Sequence, residues 1–217
     1  MRPLPGSPWM EPTEPLTVRD HIAGRAIALA GVLAVMWLIR LLDTFAPQGF
    51  SAAGSGIVPR TWDGLEGIAF GPFIHASFAH LIANTVPFAI LGALVLINGV
   101  GEFIFVFVAS ALVAGLGTWL FGTPHTQHVG ASGIILGFMG FLLFRSAFDR
   151  RILSAVITIA VAALYASALA WSLVPSEDVS WTNHFFGFIG GIIAARLRYP
   201  ARKRAIEGEG NVVQLRR

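Results

Sequence analysis

Six long apolar stretches constrain what this chain can fold into. A helix needs about 20 mostly apolar residues to cross a bilayer. The chain of 217 residues is 55% hydrophobic and only 12% charged, whereas soluble domains are about a quarter charged. We therefore predict an all-α integral membrane protein with six transmembrane helices. The predicted spans are 26–42, 74–97, 103–121, 131–144, 152–173 and 183–197.

The positions of the basic residues predict how these helices are oriented. With a cytosolic N-terminus, 13 of the 15 Lys and Arg residues lie on the inner side, as the positive-inside rule requires. Both termini are then cytosolic, in a multi-pass protein of the plasma (cytoplasmic) membrane. Residues 1–24 are expected to be a disordered lead without a cleavable signal, or, alternatively, to dock on the membrane surface. Residues 25–198 form the membrane domain.

The tail at residues 199–217 is basic and begins close to the membrane. Its charges are expected to attract anionic lipid, or to do no more than fix the topology. Nucleic-acid binding is disfavoured by the shortness and position of the tail. We expect the lipid bilayer as a partner and no nucleic acid.

A long outer connection joins the first two predicted helices. Residues 43–73 contain several turn formers together with apolar side chains. Loops of this length are uncommon unless they are functional. We expect this one to fold onto the outer leaflet as an amphipathic insertion.

A few polar side chains lie inside the predicted spans, where ionisable groups usually mark function. The second span holds His75, His80 and Asn84, the fourth holds Ser132, and the sixth holds His184. His80, Asn84, Ser132 and His184 are predicted at similar depth in the outer part of the bilayer. His80 and Asn84 share one helix face, whereas His75 lies nearer the surface and is suited to tying the outer loop to the helix.

These residue types fit acyl transfer. A serine hydroxyl needs a nearby base to become a nucleophile, and a neutral imidazole, either His184 or His80, can serve. The backbone N–H of Ser132, together with His80 and Asn84, could donate hydrogen bonds to an oxyanion. The acidic residues lie in loops or on the cytosolic side, so a Ser-His dyad is favoured over a triad.

Glycines flank both Ser132 and His184. Gly133 and Gly137 give the fourth span a small face, and Gly187 and Gly191 give the sixth a GxxxG motif. Small faces let helices approach closely in lipid. If these faces meet, Ser132 and His184 could come within hydrogen-bonding reach.

Taken together, the motifs resemble those of the rhomboid family of intramembrane serine proteases. The second span carries HxxxxHxxxN, the fourth carries GxSG beginning at Gly130, and the sixth carries a histidine followed by xxGxxxG. The motifs occur in family order over residues 26–198, within the compact six-helix bacterial layout.

The resemblance implies a role for each motif residue. Ser132 would be the nucleophile and His184 the general base, while His80, Asn84 and the Ser132 backbone would form the oxyanion site. Substrates would be transmembrane proteins that enter sideways and are cut in or near their spans. The resemblance implies no metal and no cofactor.

Two positions depart from the family pattern. Leu136 stands where some members carry an aromatic residue that packs on the catalytic imidazole. Asn183 precedes His184, where a small residue is frequent; it could hydrogen-bond locally or narrow the site.

Other readings stay open on the sequence alone. The chain could be a proteolytically inactive relative that binds membrane clients, a transporter based on its histidines, or, more remotely, a haem-binding bundle. His125 and His128 lie three residues apart in an outer loop, but a metal site needs more ligands.

Overall fold

A computed structural model describes residues 17–45, 52–172, 174 and 180–199 of the protein. The proline-rich lead through residue 16 and the basic tail beyond residue 199 lie outside the described residues. The described part is helical, with one isolated antiparallel bridge between Ile57 and His128. Its α-helices are α1 (Val18–Phe45), α2 (Gly67–Phe70), α3 (Phe78–Leu96), α4 (Val100–Phe121), α5 (Ser132–Asp149), α6 (Ile152–Ser172) and α7 (Trp181–Arg198).

The six predicted spans each coincide with a long helix, although two begin elsewhere. Helix α1 starts at Val18, so residues 18–24 are helical rather than part of a lead. Helix α3 starts at Phe78, because the Ser77 hydroxyl accepts a hydrogen bond from the His80 backbone N–H and caps the helix. His75 therefore lies in the connection before α3 and not on the helix.

Five of the described helices are long and apolar enough to cross a membrane: α1, α3, α4, α5 and α6. Helix α7 is not among them, because its 18 residues include Asn183 and His184 in the first turn and two arginines in the last turn. It packs between α4 and α5. The fold is consistent with the predicted bundle, and the six-span count and the orientation stay predictions.

Backbone-to-backbone packing joins α5 and α7, which run parallel. A side-chain carbon added at Gly187 would overlap the carbonyl oxygen of Gly133, and one added at Gly191 would overlap that of Gly137. The predicted meeting of the two glycine faces is confirmed. It places the first turns of α5 and α7 side by side at one end of the bundle, which we call the site end.

Helix α4 crosses the α5–α7 pair in the antiparallel direction. Its Gly117 accommodates the ring of Phe186 near the site end, and its Ser110 lies against Gly137. Below these contacts, Phe88, Phe103 and Phe138 form an aromatic cluster with ring centroids 5.4–6.3 Å apart. Helix α1 is the least buried of the five candidate spans, with only 6% of its most apolar window buried.

The segment between α1 and α3 folds over the site end. Its described residues, from 52 onward, include three short 3-10 turns at Ala52–Ser55, Asp63–Leu65 and Gly71–Phe73, in addition to α2. Hydrogen bonds tie it to the end of α4: the Arg60 guanidinium donates to the Leu120 and Gly122 carbonyls, and the Trp119 indole donates to the Thr61 carbonyl. Trp62 projects outward, 85% exposed. The insertion of segment 43–73 into the outer leaflet remains a prediction.

A buried polar network occupies the opposite end of the bundle. The Glu102 carboxylate accepts hydrogen bonds from Arg198 and from the Tyr199 hydroxyl, both at 2.6 Å. Nearby, Asp149 is ion-paired with Arg145 at 2.8 Å. The Glu102 contacts join the ends of α4 and α7, and α5 is linked to them by the Arg145 guanidinium, which lies 5.4 Å from the centroid of the Tyr199 ring. Burial and the Glu102 carboxylate raise the pKa of Tyr199 to about 12, so its hydroxyl remains a donor at neutral pH.

Candidate active site

Ser132 begins α5, directly after a backbone turn that only glycine adopts readily. Gly130 has φ +109°, in a region that side chains disfavour. Its N–H donates to the Gly71 carbonyl at 2.9 Å, which ties the turn to the segment before α3. Ser132 is half-buried. As the first residue of the helix, it has a backbone N–H without an intrahelical acceptor, so this group can donate to a bound ligand.

His184 lies in the first turn of α7, and its orientation is fixed by a contact that the sequence did not reveal. Its Nδ1 is 2.8 Å from the Ser172 carbonyl, at the last residue of α6. A carbonyl can only accept, so Nδ1 must donate. In the neutral ring Nε2 is then the acceptor. The backbone of α6 thus orients the imidazole in the way a carboxylate does in a triad.

The structure brings Ser132 and His184 to the site end on neighbouring first turns. A side-chain carbon added at Gly133 would come within 2.6 Å of the Asn183 amide, so the residues that follow Ser132 and precede His184 touch. Within the described residues, the hydroxyl of Ser132 makes no hydrogen bond to His184, whose bonded partner is Ser172. Catalytic hydrogen bonds are often long in unliganded enzymes.

His80 and Asn84 flank Gly130 from α3. A side-chain carbon added at Gly130 would lie 2.8 Å from the His80 Nε2 and 3.4 Å from the Asn84 Nδ2. Asn84 is buried, and its Nδ2 has no hydrogen-bond partner in the described part of the chain. A buried unpaired donor is costly, which suggests that this amide meets a ligand. The shared helix face predicted for the two residues is consistent with this placement.

His75 lies behind His80 and is almost fully buried, with 2% of its surface exposed. The two imidazole rings meet edge to face, with centroids 5.1 Å apart. Neither ring nitrogen of His75 has a hydrogen-bond partner among the described residues. Its backbone carbonyl, in contrast, accepts a hydrogen bond from Arg40 at 3.3 Å. His75 thus contacts the site through packing, which fits a supporting role.

The two positions that depart from the family pattern are both buried. Leu136, one turn below Ser132, is 6% exposed and belongs to the core. Asn183 is also 6% exposed. Its amide lies against Gly133 and lines a small cavity together with His128 and Gly130. Of the two possibilities raised by the sequence, this contact favours a narrowing of the site.

The loop that precedes Ser132 is held by paired backbone. Ile57 and His128 exchange two hydrogen bonds of 2.9 Å. The His128 ring also contacts the Thr126 hydroxyl at 2.8 Å, and burial lowers the pKa of His128. Across the described residues, no group of three His, Asp or Glu side chains lies close enough together to hold a metal ion.

The sequence predicted that the acidic residues lie in loops or on the cytosolic side, and the structure places two of them, Asp149 and Glu102, at the end opposite the site. It did not anticipate that both are buried. The spacing of Arg145 and Asp149 is a helical i,i+4 pair and could have signalled their contact. The Glu102–Arg198 pair spans 96 residues and left no such signal.

Comparison with known proteins agrees with the geometry. Residues 64–201 match the family described as the Rhomboid domain. The uncharacterized protein Rv1337 of Mycobacterium tuberculosis is 34% identical over 209 residues, which cover 92% of this chain and 86% of that protein. The uncharacterized protein ML1171 of Mycobacterium leprae is 34% identical over 85% of this chain and 76% of its own length.

A further relative carries a functional name. Rhomboid protease GluP of Bacillus subtilis is 28% identical over 123 residues, which cover 56% of this chain and 24% of that protein. The apolar helices and the family match together define a multi-pass helical membrane protein. The chain belongs to the rhomboid family.

Proposed function

We propose that the protein is an intramembrane serine endopeptidase that uses Ser132 and His184 as a dyad. The observation that carries this proposal is the oriented imidazole: the Ser172 carbonyl engages Nδ1 of His184 and leaves Nε2 available as a base. Membership of the rhomboid family, with a relative named as a rhomboid protease, supports the same reaction class.

In the proposed mechanism, the Ser132 hydroxyl attacks the carbonyl carbon of the scissile peptide bond. Nε2 of His184 takes the hydroxyl proton as the new bond forms, and then gives it to the departing amine. The acyl-enzyme that remains is hydrolysed by water, with His184 again acting as the base. Attack requires Ser132 and His184 to close to hydrogen-bond distance when substrate is bound.

Three donors around Gly130 would stabilise the oxyanion. They are the backbone N–H of Ser132, the His80 ring and the Asn84 amide, of which Asn84 has no partner in the described residues. Donors that are held in place before the reaction need no reorganisation as charge develops. The free N-terminus of α5 adds the positive end of its helix dipole.

The substrates would be membrane proteins cut in or near a transmembrane segment, approaching from the bilayer. We place the six helices in the plasma membrane with both termini cytosolic, so that the site end faces outward. Hydrolysis there needs water, and polar groups within a membrane protein usually face a wet cavity. The half-buried Ser132 would face such an opening.

The test is covalent labelling by a fluorophosphonate probe of purified protein in detergent. We expect the wild type to label, and Ser132→Ala and His184→Ala to lose labelling. Ser146→Ala is the matched control: Ser146 lies on the far half of α5, where its hydroxyl accepts a hydrogen bond from the Thr158 hydroxyl of α6, and this variant should label like the wild type.

The outcomes separate the proposal from its rivals. No labelling of a folded wild type would favour an inactive relative that binds membrane clients. Labelling that persists in Ser132→Ala would show that another residue is the nucleophile. A transport role would instead leave function intact in Ser132→Ala but not in His80→Ala or His184→Ala.

A further inference from the structure

Arg40 is a charged residue near the site end of α1, in the helix with the least buried surface. Ionisable groups in such helices are costly and usually have a purpose. Its Nη1 is 2.9 Å from Asp43 and 3.3 Å from the His75 carbonyl. The aspartate carboxylate offsets the charge of the guanidinium, and the arginine in addition donates a directed hydrogen bond to the His75 carbonyl.

The guanidinium is held over an aromatic ring as well. It lies 5.2 Å from the centroid of the Phe78 ring, a cation–π distance, and Phe78 is the first residue of α3. The side chain of Arg40 is only 17% exposed. Its Nη1 makes both hydrogen bonds, whereas its buried Nε has no partner among the described residues.

The backbone that Arg40 holds is the junction between α1 and the candidate oxyanion site. Residues 71–77 connect the outer segment to α3. At one end of this connection, the Gly71 carbonyl accepts the N–H of Gly130. At the other, the Ser77 hydroxyl caps His80. His75 lies between them, with its ring against that of His80.

The ring nitrogens of His75 make no hydrogen bond of ordinary geometry to a described residue, and the Phe73 backbone, within the same connection, acts on the ring. Its orientation therefore depends on packing and on where its backbone is held. The backbone carbonyl of His75 accepts a hydrogen bond from Arg40, a residue of helix α1.

We propose that Arg40 is a positioning residue for the reaction: by holding the His75 carbonyl, it fixes the connection 71–77 and, through it, the His80 ring beside Gly130. The inference rests on the proposed function, since it assigns Arg40 to the same oxyanion site. Arg40 touches neither Ser132 nor His184. It acts through His75.

The test measures the rate of fluorophosphonate labelling at several probe concentrations, which separates the maximal rate of labelling from the probe's apparent affinity. Arg40→Met keeps much of the apolar stem and removes the donor. We expect a maximal rate lower by roughly ten- to a hundredfold, the scale of a small misplacement of reacting groups, with the affinity little changed. Arg40→Lys, which retains one donor and the charge, should recover part of the rate.

Trp37→Phe is the matched control. Trp37 also holds α1 against α3, because its indole donates a hydrogen bond to the Thr85 hydroxyl. That bond is made to α3 itself and not to the connection 71–77. This variant should lose thermal stability comparably to Arg40→Met and label at close to the wild-type rate.

The results distinguish this proposal from the proposed function. If the wild type labels at Ser132 and folded Arg40→Met labels equally fast, the positioning role is wrong while the protease stands. Equal slowing in Trp37→Phe and Arg40→Met would also overturn it, because docking of α1 alone would then explain the effect. Absence of labelling in the wild type would refute the function itself.

Discussion

The backbone of Gly187 in α7 lies directly against the carbonyl oxygen of Gly133 in α5, with no space for a side chain between them. Gly133 follows Ser132, and Gly187 is three residues beyond His184. This contact therefore sets the separation of the proposed nucleophile and base more directly than any hydrogen bond between them. Two helices that touch through backbone atoms have few alternative arrangements.

Replacing Gly187 by alanine should separate the two first turns. The new methyl group would overlap the Gly133 carbonyl, and overpacking of this kind costs about 1–3 kcal/mol. We expect a lower unfolding temperature in detergent and slower fluorophosphonate labelling in Gly187→Ala. Gly31→Ala is the control: Gly31 lies in α1 with open space around it, so both quantities should stay near wild type. Unchanged labelling in Gly187→Ala would show that this contact does not set the site geometry.

Loss of the Asn84 amide should slow the reaction without loosening binding. Removal of one oxyanion donor typically costs about a hundred- to a thousandfold in rate, and Asn84 has an unpaired, buried Nδ2 beside Gly130. In Asn84→Ala, we expect the maximal labelling rate to fall on that scale while the apparent probe affinity changes little. Asn98→Ala serves as the comparison, since Asn98 bonds to Val95 at the opposite end of α3. A change confined to affinity would assign Asn84 to substrate binding instead.

The helices and the clustering of polar residues could be predicted from the sequence because they depend on local patterns. Runs of apolar residues predicted the long helices, and the spacing of His80 and Asn84 placed them on one face. The Ser172 carbonyl that engages His184 could not be predicted in this way, since a backbone acceptor leaves no residue-type signal. The start of α3 was misplaced because the apolar residue Ile74 extends the pattern beyond the Ser77 cap.

Acidification should weaken the loop that carries His128. Burial lowers the pKa of this imidazole, so the folded state favours its neutral form. The stability that this supplies is present above the ordinary histidine pKa of about 6.5 and is lost as the pH falls through the lowered value. We expect the unfolding temperature to fall more steeply from about pH 7.5 to about pH 5 in the wild type than in His128→Gln. Each of these pH values is about one unit or more from the ordinary histidine pKa.

The other histidines are the same in the wild type and in His128→Gln, so their effect cancels in this difference. His125→Gln removes an exposed histidine from the same loop and should follow the wild-type curve. Parallel curves for the wild type and His128→Gln would contradict the linkage between His128 and the paired backbone at Ile57.

Breaking the buried ion pair of α5 should destabilise the fold and spare the chemistry. The Arg145 and Asp149 side chains are only 5% and 2% exposed, and Asp149 also accepts the Ser154 hydroxyl. Removing one partner of a buried pair costs about 3–5 kcal/mol, because the other charge is left uncompensated. Asp149→Asn should therefore unfold at a markedly lower temperature.

The double variant Arg145→Met/Asp149→Leu separates charge burial from packing. Since neither charge then remains buried, it should be more stable than Asp149→Asn. Asp149 lies 17 residues along α5 from Ser132, or about 25 Å at 1.5 Å per residue, so the labelling rate of each folded variant should match the wild type. If the single variant were folded and slow to label, the opposite end of the bundle would have to be coupled to the site through α5, and the two ends could no longer be treated as independent.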